Sequence, residues 1–281
     1  MNRPPELKKL LLPAILTVFR TKRFIGEKYN KEIRFALPSI QSKKLLLYKT
    51  YFGFKEDVPV SYFYLLSQGV QTNLMIDKQF PLPIPGMVHL KTRIEQLSDI
   101  VLHDSLEIIS SVEIENKSEG SLLPIFKESF FQNGVKIVEI ESTYLVKRKS
   151  KNKSSKRKEN VIIENKDTNW LIEPWFFKKG YSNQYAKISG DYNPIHILTI
   201  FAWLSGFKRR IIHGWYTTSR AVAKIEKETE MPIKSIEVEF LRPITISSST
   251  QFEFRLSSDR NFQFRIKKDK DAHYAVSGYI S

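Results

Sequence analysis

The 281-residue chain contains no cysteine. Disulfides, thiolate zinc sites and cysteine nucleophiles are thereby excluded. The lack suits a reducing compartment, and the expected location is the cytoplasm. No apolar run approaches the roughly 18 residues of a membrane-crossing helix, so no membrane insertion is expected. The segment 8–23, KKLLLPAILTVFRTKR, opens like a secretory leader. It has no small-x-small cleavage site and runs directly into Arg20, Lys22 and Arg23. A short helix packed on the body is expected there. Acidic residues are also scarce, with 30 Asp and Glu against 45 Lys and Arg. Much of that excess is local. Residues 147–160, KRKSKNKSSKRKEN, hold eight basic residues and one Glu but no aromatic. Without aromatics the run lacks a stacking platform for single-stranded nucleic acid. Its plain reading is a solvated linker or hairpin tip, its sharper one an electrostatic contact with nucleic acid, an anionic membrane or a phosphorylated ligand; no nucleic-acid partner is expected.

What is present is a core. At 41% hydrophobic and 12% aromatic the composition supports packed domains rather than disorder. The basic run divides two stretches of similar pattern. In the first, 60–76 has apolar residues at helical spacing, 79–86 breaks it with three prolines and a glycine, and four strand-like runs follow at 87–97, 104–114, 123–131 and 135–146. In the second, a helix over 212–228 ends at Met231 and Pro232. Strand-like runs then follow at 234–244, 250–258, 261–268 and 272–280. A helix followed by consecutive strands, twice over, predicts an α+β pseudo-dimer of helices on antiparallel sheet. The domains are read as 1–155 and 156–281.

One stretch carries chemistry: 185-YAKISGDYNPIHI-197. It lies between a strand-like run, 169–177, and the second helix. Gly190 suits a helix-ending left-handed conformation, and Asn193-Pro194 is a turn that can open the next helix. Asp191 and His196 would thus sit on a stiff connection. A carboxylate and an imidazole held together can share one water, taking a proton from it and returning one to substrate. That chemistry suits hydration of an activated double bond. The 213-HGW-215 segment at a helix start offers outward N–H groups for an oxyanion, with Gly214 as donor. Asp191, His196 and His213 as metal ligands lack an HxxxH pattern, and Ser189 and Ser219 lack a nucleophile elbow, so no metal is expected. His89 and His103 read as structural residues in strand-like runs.

The segment YAKISGDYNPIH…FAWLSGFKRRIIHGWYTTSRAVA, residues 185–223, resembles the hydratase motif of the MaoC-like family, the (R)-specific enoyl-thioester hydratases and dehydratases. FPLPIPGMVHLKTRIEQ, residues 80–96, is similar to the degenerate N-terminal unit of its two-domain members. The resemblance implies a double hot-dog fold and one site, in the second half, because the first half has no SGDxNPxH. It further implies that Asp191 and His196 hold the water and that the Gly214 N–H receives the thioester carbonyl. No cofactor is implied beyond coenzyme A or acyl carrier protein as the substrate's carrier. Asn193, Trp215, Ser219 and Arg242 are candidate substrate-binding residues. The family commonly has a medium-sized apolar residue where Trp215 stands, so its ring is expected to shape the acyl tunnel. Two readings stay open: a hydratase, or an acyl-thioester binding or scaffold protein with a decayed site. A homodimer is also left open.

Overall fold

The computed structural model describes residues 2–20, 29–40, 42–116, 121–147, 169–258, 261–268 and 273–281. The basic run beyond Lys147 and the expected boundary near residue 155 lie outside the described residues.

The first half begins with helix α1 (Leu7–Leu16), strand β1 (Asn30–Leu37) and helix α2 (Lys43–Phe52). Helix α3 (Phe63–Ile76) follows, then β2 (Val88–Gln96), β3 (Leu106–Asn116), β4 (Ser121–Gln132) and β5 (Val135–Lys147). The second half runs β6 (Leu171–Phe176), α4 (Gly180–Ser189), α5 (Pro194–Ile197), α6 (Thr199–Leu204) and α7 (Gly214–Thr229). It closes with β7 (Ser235–Phe240), β8 (Ser249–Ser258), β9 (Asn261–Lys268) and β10 (Tyr274–Ile280).

All ten strands form one sheet in the order β1-β3-β4-β5-β2-β7-β10-β9-β8-β6. Read outward from its middle, each half repeats the other: β2, β5, β4, β3, β1 on one side answer β7, β10, β9, β8, β6 on the other. The halves meet where β2 and β7 pair antiparallel from Lys91↔Glu239 to Glu95↔Ser235. The expected pattern of helix then four strands is therefore present, preceded in each half by a further strand and helix. His103 departs from its reading: it is exposed in the turn before β3.

The long helices α3 and α7 carry the buried faces that make each half. Phe63, Val70 and Leu74 of α3, and Val222 and Ile225 of α7, are at most 1% exposed. The main core spans both halves. A smaller cluster around Leu74, Phe80 and Phe126 fills the far end of the first. Helix α1 packs along α3, as expected for an N-terminal helix. Its approach is close: a Cβ on Gly69 would lie 2.6 Å from the Pro5 carbonyl oxygen, so only glycine fits there. Among the described residues, no helix is long and apolar enough to cross a membrane.

Candidate active site

The site is built from a turn, a one-turn helix and a helix start. Gly190 ends α4 in the left-handed region, φ 80, with its N–H on the Ala186 carbonyl. Asp191 follows. Its N–H is held by Ser189 Oγ at 3.1 Å, and its Oδ1 accepts the Asn193 N–H at 3.1 Å, closing an Asx-turn. Asn193 then caps α5, its Oδ1 accepting from Ile195 N, and Pro194 takes the first helical position. This short helix presents His196.

Two bonds draw that loop onto the start of α7. His196 Nδ1 lies 2.9 Å from the Ile211 carbonyl oxygen, and His213 Nε2 lies 2.9 Å from the Asp191 carbonyl oxygen. A carbonyl only accepts, so the protons sit on His196 Nδ1 and His213 Nε2. That leaves a lone pair on His196 Nε2 and another on His213 Nδ1. The latter is buried without a partner among the described residues. The two imidazoles stack at 3.9 Å between centroids and 29° between planes.

Charge states follow from this packing. Burial pushes the His196 imidazole below its ordinary range, against the pull of Asp191 and the Ile211 carbonyl. Burial, and then the neighbouring His196, push His213 down to about 3. Burial raises the Asp191 carboxyl, but His213, His196 and the hydrogen bonds from Asn193 and Gln68 outweigh it, and the net direction is down.

Gly214, the first residue of the sixteen-residue α7, follows directly. The leading N–H groups of a helix have no carbonyl one turn back, and no side chain caps this one. A Cβ on Gly214 would lie 2.7 Å from the Phe240 ring, so glycine is required by space. Asp191, His196 and His213 each offer one ligand atom, all within 4.8 Å of one another.

The remaining sequence candidates separate. Asn193 spends its side-chain oxygen on the α5 cap. Trp215 and Ser219 make their contacts in the core between the halves. Trp215 donates its Nε1–H to the Ser61 carbonyl at 3.0 Å and stacks on Tyr64. Ser219 is fully buried, donating to the Trp215 carbonyl and accepting from Tyr48. Arg242 is exposed after β7, and among the described residues it makes no hydrogen bond to Asp191, His196 or His213. Two groups that the sequence reading gave no part in the water chemistry stand in the site. One is His213, weighed there only as a metal ligand. The other is Gln68 of α3, whose Nε2 donates to Asp191 Oδ2 at 3.3 Å. His213 stands beside the motif's glycine and was accessible to reading; nothing local marks Gln68.

Residues 178–277 match the family model of the MaoC like domain. The 3-hydroxyacyl-thioester dehydratase X of Mycobacterium tuberculosis is 24% identical over 257 residues, covering 89% of this chain and 88% of that one. The crystal structure of HtdX from the same organism superposes with a TM-score of 0.71 at 18% identity, covering 89% of this chain and 99% of the other. Another M. tuberculosis structure, described as a double hotdog fold, has a TM-score of 0.59 at 8% identity, covering 91% and 96%. These likenesses establish the double hot-dog fold.

Proposed function

Starting from a double hot-dog chain that carries a MaoC-like domain over residues 178–277, we propose that it is a hydro-lyase. It interconverts a trans-2-enoyl thioester and the (R)-3-hydroxyacyl thioester, with the acyl group on coenzyme A or acyl carrier protein. The dehydratase relative supports hydration and dehydration of acyl thioesters in general. The observation that carries the finer reading is the junction of the Asp191 carboxylate, the bare Nε2 of His196 and the uncapped start of α7.

Asp191 and His196 hold one water. As its oxygen bonds to C3, the pair takes up a water proton. The C2–C3 π electrons shift toward the thioester carbonyl, and the oxygen that gains charge receives the Gly214 N–H at the positive end of α7. The pair then returns a proton to C2 and the carbonyl reforms. Hydroxyl and proton arrive from one side, so addition is syn. The reverse sequence is dehydration. His196 can act in this way because the Ile211 carbonyl fixes its Nδ1–H and leaves Nε2 as the basic atom.

The test is hydration of crotonyl-CoA and longer enoyl-CoAs with chiral analysis of the product. Asp191→Asn and His196→Ala should each lower turnover on the order of 100- to 1000-fold while the melting temperature stays near that of the parent. Parental turnover in either variant would overturn the assignment. Tight acyl-CoA binding by the parent without hydration would favour the scaffold reading instead.

A further inference from the structure

We propose that the ridge formed by α6 seats this protein on an anionic lipid surface. The claim does not depend on the hydration reading. Five large apolar side chains within seven positions are exposed: Leu198 at 48%, Ile200 at 56%, Phe201 at 39%, Trp203 at 65% and Leu204 at 67%. Helix α6 buries only Ala202. A helix that rests on one small residue presents its large ones to solvent, and apolar surface gathered in this way marks an interaction site. Tryptophan beside aliphatic residues is the composition that settles at a membrane interface.

Charge selects the occupant. After the Gly206 turn, Lys208 and Arg209 follow, both exposed. From residue 192 to residue 225 the chain contains no Asp or Glu. The apolar ridge therefore has a cationic collar with no acidic residue in its own stretch of chain, which favours an anionic partner. A second copy meeting this one ridge to ridge would bring two cationic collars together with no acidic collar on either side. A folded acidic partner must match the shape of this apolar face, whereas lipid conforms to it. The ridge is also held firmly to the body. Arg210 donates to the Ile197 carbonyl at 2.8 Å, just ahead of α6, and His196 stands in the same short helix as Ile197. Docking here would bring the site beside a surface where amphiphilic acyl molecules collect.

Flotation of the full chain with phosphatidylcholine vesicles, with and without phosphatidylglycerol, tests the proposal. Partitioning is expected to require phosphatidylglycerol and to weaken with added salt. Trp203→Ser combined with Leu204→Ser should reduce it at least about tenfold, because two interfacial anchors are lost. Lys208→Glu combined with Arg209→Glu should do the same. All four residues are exposed, so both variants should keep the parental melting temperature and the parental turnover of a short, soluble enoyl thioester. Absence of binding to phosphatidylglycerol vesicles overturns the proposal, as does undiminished binding by the Trp203/Leu204 variant. So does a parent that ignores vesicles while the ridge variant loses self-association in sedimentation velocity, or loses binding to an acidic carrier protein.

Discussion

The Gln68 amide donates to the Asp191 carboxylate, while its own Oε1 is buried without a partner among the described residues. A hydrogen bond to the charged form of an acid holds its pKa down. Gln68→Ala should therefore raise the Asp191 pKa and move the acid limb of the pH dependence of kcat/KM upward. Gln68→Glu should move it further, since a second carboxylate opposes ionisation of the first. A limb that stays in place in both variants would reduce Gln68 to packing. The two ends of this bond also show what a sequence can carry. Gly190, Asp191, Asn193, Pro194 and His196 were legible because turn chemistry binds neighbours to neighbours. Gln68 lies 123 residues from its partner, and no local pattern marks it.

At the scale of the element, α7 joins chemistry to architecture. Its first residue faces the site, and the next one is the Trp215 anchor. The ring of that anchor stacks 4.1 Å from Tyr64 of α3, and its N–H crosses to Ser61 in the other half. One turn on, Ser219 Oγ takes the Tyr48 hydroxyl of α2 at 2.8 Å. Trp215→Ala should cost about 3–5 kcal/mol by removing a buried indole at this junction, read as a lower midpoint in urea. An undiminished midpoint would mean that the ring is not an anchor. The family pattern drew attention to this ring because of its size, but its surroundings come from the other half and could not be read. Helices α3 and α7 were legible through their 3.6-residue period. Helix α2 was not, because Leu46 and Leu47 are 64% and 47% exposed and blur its apolar face. Strand β1 was also missed. It lies at the edge of the sheet, and Phe35 is its one fully buried residue.

For the whole molecule, acid is the informative perturbation. Burial, the first cause at each site, holds His89 and His213 at about 3, while the unfolded chain titrates them near 6.5. Between those values the unfolded state binds the extra protons, so stability falls as pH falls below 6.5. His196 acts in the same direction. Glu128 opposes them. Burial raises its pKa to about 7 from 4.5, against the donors Gln71, Ser110 and Ser67, so the folded state holds its proton through that window and gains on acidification. Burial raises the Glu226 carboxyl as well, so three groups stand against two, and the melting temperature should drop between pH 6.5 and 4.5, measurable by calorimetry. Glu128→Gln should make the drop steeper by removing one opposing group. A flat profile would contradict the burial of these histidines. The doubled α+β pattern was visible in the chain, because each half repeats its order of elements. The continuous ten-stranded sheet was not, since the β2–β7 pairing depends on residues about 140 positions apart.

That pairing has a consequence for inheritance. Two identical subunits meeting along such a seam would receive every substitution twice, so a residue useful at one end of the interface would be imposed on the other. With β2 and β7 in one polypeptide the constraint is lifted. Gln68 can serve Asp191 with no counterpart required in α7, and α7 can begin with glycine while α3 begins with phenylalanine. The symmetric frame persists in the strand order, while its two helices are free to diverge into different tasks.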